Sequence, residues 1–238
     1  GVFGVALGTV LFPLLARHAA EKRFDLLRHD LTLGLRLVVA VGLPASVGLM
    51  LLSGPLASTL FEYGEFDAAD AERTAGLIAA YGCGVWAFCG QLILYRAFYA
   101  LDDRTKPPRV SILSRVLNLV PSRTLIWPLG AAGLAYGTTI SATLQVIIFC
   151  WLIHTRGGQI DTKPLLATTA KSAIATAVMT LVCLTTQHLL GTADGIPSRI
   201  VGVGLPITVS IAAYYAAAAV LKMPELNMLL RRNLGDQD

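Results

Sequence analysis

The sequence predicts an all-α, polytopic transmembrane helix bundle of about seven spans, and three observations predict it. Charged residues make up 14% of the chain, against roughly 25% in soluble domains, and the mean hydropathy is +0.64. Apolar runs near the roughly 20 residues a helix needs to cross a bilayer core recur along the chain. The loops between them alternate between rich and poor in positive charge. Alternating segments of about ten residues, the mark of a membrane barrel, are absent, and helices satisfy their own backbone in lipid.

The expected spans are 1–16, 31–53, 74–100, 108–128, 130–154, 165–190 and 199–221. Gly1 lies within an apolar run with no preceding Met and no signal-peptide pattern, so the chain reads as the C-terminal part of a longer membrane protein. Gly4 and Gly8 have the small-xxx-small spacing that permits close helix contact. The basic, amphipathic stretch from Ala16 to Asp30 suits the inner headgroup layer. Pro44 and Pro206 fall near mid-span, where proline frees a carbonyl and bends the helix. Gly54 to Ala69 reads as a short external helix or hairpin, with Asp67 or Asp70 capping the next helix and Glu72 favouring its positive end. The fourth segment carries Arg115, Asn118, Ser122 and Arg123, too polar for a lipid-facing helix, and suits a protein interior or an aqueous cavity. The polar loop 155–162 is the expected boundary between a partial lobe, 1–155, and two further helices with a tail, 156–238.

Charge placement gives an orientation. Arg17, Lys22, Arg23, Arg28, Arg104, Lys106, Arg109, Arg156, Lys163, Lys222, Arg231 and Arg232 lie in alternate connections and the tail. The intervening loops hold Arg73, Arg123 and Arg199. Twelve against three is a strong positive-inside bias, so the C-terminus is expected in the cytoplasm. The pI near 9.0 thus reports membrane orientation and not a nucleic-acid partner.

Ionisable groups inside spans are the default functional suspects: Arg36, Arg96, Arg115 and Lys171. Each lies on the order of 8–14 Å below the interface by helix rise. Arg36 and Lys171 fit snorkelling stems. Arg96 lies about two turns from Asp102 and Asp103. Arg115 shares its segment with Asn118 and Ser122, a cluster suited to an anion such as a phosphate, or to an acidic partner elsewhere in a longer chain. Arg96 and Arg115 are therefore the candidate substrate-binding residues. Cys83, Cys89, Cys150 and Cys183 sit in apolar spans without metal-site spacing. His18, His29, His154 and His188 are scattered at span ends, and no phosphate loop occurs. The pattern favours transport over an enzyme, and no cofactor is expected.

The blocks GVFGVALGTVLFPLLAR, LFEYGEFDAADAERTAGLIAAYGCG and RAFYALDDRTKPP resemble the MurJ/MviN family of lipid II flippases. The likeness runs from Gly1 to about Ile153. The family's D-T-[KR]-T-P turn here reads Asp103-Arg104-Thr105-Lys106-Pro107. The resemblance implies helices eight to fourteen of a fourteen-helix, two-lobed transporter of a bacterial inner membrane, with the last two helices appended. It implies lipid II, or a related polyprenyl-diphosphate glycolipid, as substrate, moved between leaflets by alternating access. The bilayer and the missing N-terminal half, which carries most of the family's cavity arginines, are the implied partners. It also implies a groove for the lipid tail between 165–190 and 199–221, and a sodium site at Asn118 and Thr138, with Ser122 where an acidic ligand is expected. Two rivals remain: a flippase for another polyprenyl-linked oligosaccharide, and a non-transporting membrane scaffold.

Overall fold

The computed structural model describes residues 2–62, 66–102, 105–155, 160–190 and 196–225, all helix and short connections. Asp103, Arg104, Arg156, Arg231 and Arg232, with residues 156–159 and 191–195 of the two loops, lie outside the described residues. The helices are α1 Val2–Ala20, α2 Phe24–Leu51, α3 Ser53–Phe61, α4 Ala68–Gly82, α5 Val85–Ala100, α6 Lys106–Leu129, α7 Ala131–Thr155, α8 Thr162–Leu190 and α9 Ile196–Val220.

Helices α2, α7, α8 and the Val201–Val220 part of α9 are long and apolar enough to cross a membrane, and α4 with α5 make a fifth candidate bent by 41°. The single span expected over 74–100 is thus broken at Cys83 and Gly84. Such a break frees backbone groups that lipid cannot satisfy, and neighbouring helices satisfy them. Ser46 Oγ on α2 accepts the Trp86 N–H at 3.2 Å, and Thr139 Oγ1 on α7 donates to Ala80 O at 2.8 Å. The short helix expected after Gly54 is α3, and Asp67 caps α4, its carboxylate accepting the Asp70 N–H at 2.9 Å.

The main core gathers Leu27, Leu31, Leu35 and Val38 of α2 with Ile93, Leu94 and Phe98 of α5 and Phe149 and Ile153 of α7. Helix α1 closes onto α5 through its glycines: a Cβ on Gly4 would lie 3.2 Å from Cys89 Sγ, and one on Gly8 2.5 Å from an Arg96 guanidinium nitrogen. Helices α6 and α7 meet backbone to backbone. A Cβ on Gly133 would sit 2.1 Å from Leu125 O, and one on Gly137 2.3 Å from Ser122 Oγ. The opposite side of α6 is bare, with Leu119, Val120 and Trp127 at 68%, 66% and 86% exposure. A smaller core joins Ala40 of α2, Ala175 and Met179 of α8, Tyr214 and Ala218 of α9, and Met223.

Candidate functional site

Two chain connections, the one between α1 and α2 and the one that leads into α8, meet at one end of the bundle. Arg17 Nε binds Glu21 Oε1 at 2.9 Å and holds that carboxyl below its ordinary range. His18 Nδ1 lies 3.1 Å from Asp30. Arg28 reaches across to Asp161, which precedes α8, at 2.7 Å, and the Asp161 N–H donates to Thr32 Oγ1 at 3.0 Å.

One turn further along α2, Arg36 is not a free snorkelling stem. Its Nη2 lies 2.6 Å from Glu225 Oε1 and its Nε donates to the same oxygen at 2.8 Å and to Thr168 Oγ1 at 2.9 Å. The Thr168 hydroxyl has one proton, shared between Glu225 Oε1 at 2.5 Å and Pro164 O at 3.0 Å. Glu225 is 1% exposed, and its Oε2 has no hydrogen-bond partner among the described residues. Sequence reading missed this site because Glu225 is remote in sequence. The available signal was the i, i+4, i+8 spacing of Arg28, Thr32 and Arg36, a single ridge of α2.

Beyond Arg36 that ridge continues as Ala40, Pro44 and Gly48. Pro44 has no N–H for Ala40 O, and Tyr214 of α9 donates its hydroxyl there instead, with Ser172 Oγ of α8 at 3.2 Å from the same hydroxyl. Past this point α2 and α9 leave a cavity of about 410 Å³ lined by Pro44, Gly48, Leu52, Leu56, Met179 and Ile211 among others. Small side chains on α2 make the space, and the lining is apolar apart from the hydroxyls of Ser210, Tyr214 and Tyr215. Ser210 Oγ is buried without a partner among the described residues. The cavity lies against α8 and α9, where the tail groove was expected, with α2 and α3 as its further walls.

The residues singled out from sequence are not gathered into this region. Arg96 lies over Gly8, its Nη1 3.5 Å from Thr9 Oγ1. Arg115 is exposed on α6. Asn118 Oδ1 accepts the Ser122 hydroxyl at 2.8 Å in the α6–α7 seam, and the Thr138 hydroxyl donates to Leu134 O at 3.0 Å on its own helix. A polar network that sequence did not single out lies between α5, α6 and α7. Gln91 Nε2 donates to Gln145 Oε1 at 2.8 Å, and Gln145 Nε2 donates to Tyr95 Oη at 2.6 Å and Ser111 Oγ at 3.1 Å. Tyr95 and Ser111 hydroxyls also bond each other.

A helical bundle with a broken apolar helix pair, prolines inside long apolar helices, internal polar seams and a side cavity of this kind defines a polytopic α-helical membrane protein. Comparison with known proteins specifies which. A family model described as lipid II flippase MurJ matches residues 1–197, and the chain belongs to that family. A probable lipid II flippase MurJ of Vibrio cholerae is 32% identical over 223 residues, 93% of this chain and 42% of the relative. One from Rhizobium tropici is 29% identical over 98% of this chain and 44% of its own length. A solved structure of lipid II flippase MurJ in an inward closed conformation shares the fold, with a TM-score of 0.73 at 21% identity, over 92% of this chain and 43% of that one. The chain therefore spans less than half the length of these relatives.

Proposed function

We propose that this chain is the C-terminal part of a flippase that carries lipid II from the inner to the outer leaflet of a bacterial inner membrane by alternating access. In this reading α1 and α6 also cross the bilayer, giving seven spans with the α4–α5 pair counted once. Residues 1–155 form part of a transporter lobe and 156–238 an appended unit. The charge asymmetry puts the end holding Arg28, Asp161 and Glu225 in the cytoplasm. A diphosphate-linked glycolipid cannot cross hydrocarbon unaided, because its charge would be buried without partners. The flippase must give the headgroup a polar path and the tail an apolar one.

The observation that carries the reading is the apolar cavity between α2, α3, α8 and α9 in a chain of this family, which suits a segment of polyprenyl tail. Arg96 and Arg115 would meet the headgroup from this side, together with the part of the transporter that lies outside this chain. A cation site at Asn118 and Thr138 belongs to the same reading: Asn118 Oδ1 accepts from Ser122 and the Thr138 hydroxyl donates to Leu134 O, and both oxygens keep a lone pair for a cation.

The test is complementation of a flippase-depleted strain by the full-length protein, with lipid II in the outer leaflet measured directly. Growth and outer-leaflet lipid II are expected to return, and Ala45→Trp, which fills the cavity, is expected to abolish both at unchanged protein level. Restoration of a different polyprenyl-linked oligosaccharide instead would transfer the substrate. No transport of either kind would leave the scaffold reading.

A further inference from the structure

Helices α8 and α9 pack on each other and reach the rest of the bundle mainly through α2, with α3 touching α9. The ridge of α2 that seats them changes character along its length. From Arg28 to Arg36 it is closed by charge-assisted hydrogen bonds, and from Pro44 onward it borders the open cavity. The last described turn of chain, Met223 to Glu225, folds back so that Met223 and Glu225 are buried at 1% exposure each.

The Arg36–Glu225 pair is a poor device for stability alone. Among the described residues, Glu225 Oε1 receives every contact while the buried Oε2 receives none. Apolar side chains of similar volume commonly serve at least as well in such places. What an ion pair adds is a specific register that releases as a unit. Here it ties the chain just past α9 to α2, two turns before Pro44 and the cavity behind it.

We propose that Arg36, Thr168 and Glu225 are positioning residues, a buried latch that clamps the end of α9 to α2 and α8 and so sets the width of the apolar cavity between α2 and α9. Closing the latch holds the groove at the width seen here, and releasing it lets α9 move away from α2. The functional arm rests on the flippase reading above, whereas the mechanical arm does not.

The experiment uses the full-length protein in lipid nanodiscs, with its cysteines replaced and spin labels at Leu60 of α3 and Leu205 of α9, both exposed. The parent should give a narrow distance distribution. Glu225→Gln should broaden it and shift it by several ångström. An Arg36→Met/Glu225→Leu double variant should return the narrow distribution, because it leaves no unpaired buried charge, yet should fail to complement, because its clamp does not release. If Glu225→Gln does not fold, the double variant carries the test alone. An unchanged distribution in Glu225→Gln, or a double variant that complements like the parent, overturns the latch. A parent that does not complement a flippase-depleted strain defeats the flippase reading, while the distances still decide the mechanical claim.

Discussion

The hydroxyl of Tyr214 donates to the carbonyl oxygen of Ala40, the α2 acceptor that Pro44 leaves without its intrahelical N–H. A carbonyl that proline would leave open in an apolar setting is thereby sealed by a side chain 174 positions away. The proline, the seal and the cavity beside them form one unit.

Tyr214→Phe removes the seal and leaves Ala40 O unsatisfied, which should cost about 1–2 kcal/mol. Pro44→Ala supplies a backbone N–H to the same oxygen. In that background the Tyr214→Phe penalty should fall well below its value in the parent, measured as a double-mutant cycle of thermal unfolding in one detergent. Equal penalties in both backgrounds would contradict the account.

Gly133 of α7 and Gly48 of α2 should respond oppositely to alanine. A Cβ on Gly133 meets the Leu125 carbonyl, a backbone atom that can move only with its helix, so Gly133→Ala should lower the folded yield and the melting temperature. At Gly48 a Cβ meets nothing within 4 Å, and Gly48→Ala should be neutral or stabilise by up to about 1 kcal/mol through helix propensity. Gly8→Ala should be mild despite its short contact, because the neighbour is the end of the Arg96 side chain.

The two ion pairs on α2 should differ in weight. Arg28 and Asp161 are 41% and 40% exposed, so Arg28→Ala should cost about 0–1 kcal/mol, less at high salt. Arg36→Ala strands the Glu225 carboxylate at 1% exposure, for a cost of about 3–5 kcal/mol. Unfolding at low and high salt separates the two.

Gln145 is 6% exposed and bonds to α5 and α6 at once. Gln145→Leu should cost about 1–3 kcal/mol by leaving partners unsatisfied. Gln145→Glu, which buries a charge in the same place, should be worse. Thermal unfolding of the two variants against the parent ranks them.

Much of the architecture was legible in the chain because hydropathy and turn chemistry are local. The helices, the short α3, the Asp67 cap and the close approach of Gly4 and Gly8 to a neighbour all follow from residues within a few positions of each other. The break in the 74–100 segment was not legible. Its Gly-Cys-Gly sequence permits a break, but the groups that make it tolerable in an apolar setting are Ser46 and Thr139, on other helices. The polarity of α6 was legible and its meaning was not: Asn118 and Ser122 face Gly137 of α7, and Arg115 is exposed.

The sequence by itself determined that the chain is helical and apolar, which family it resembles, and where its charges collect, since each of these is a property of composition or short-range pattern. Only the tertiary structure decided that Arg36 is paired, that Tyr214 satisfies the carbonyl Pro44 leaves open, and that the space beyond them is a cavity. Those outcomes depend on which surfaces meet across as many as 189 positions of chain, and a buried charge is settled by its partner and not by its neighbours in sequence.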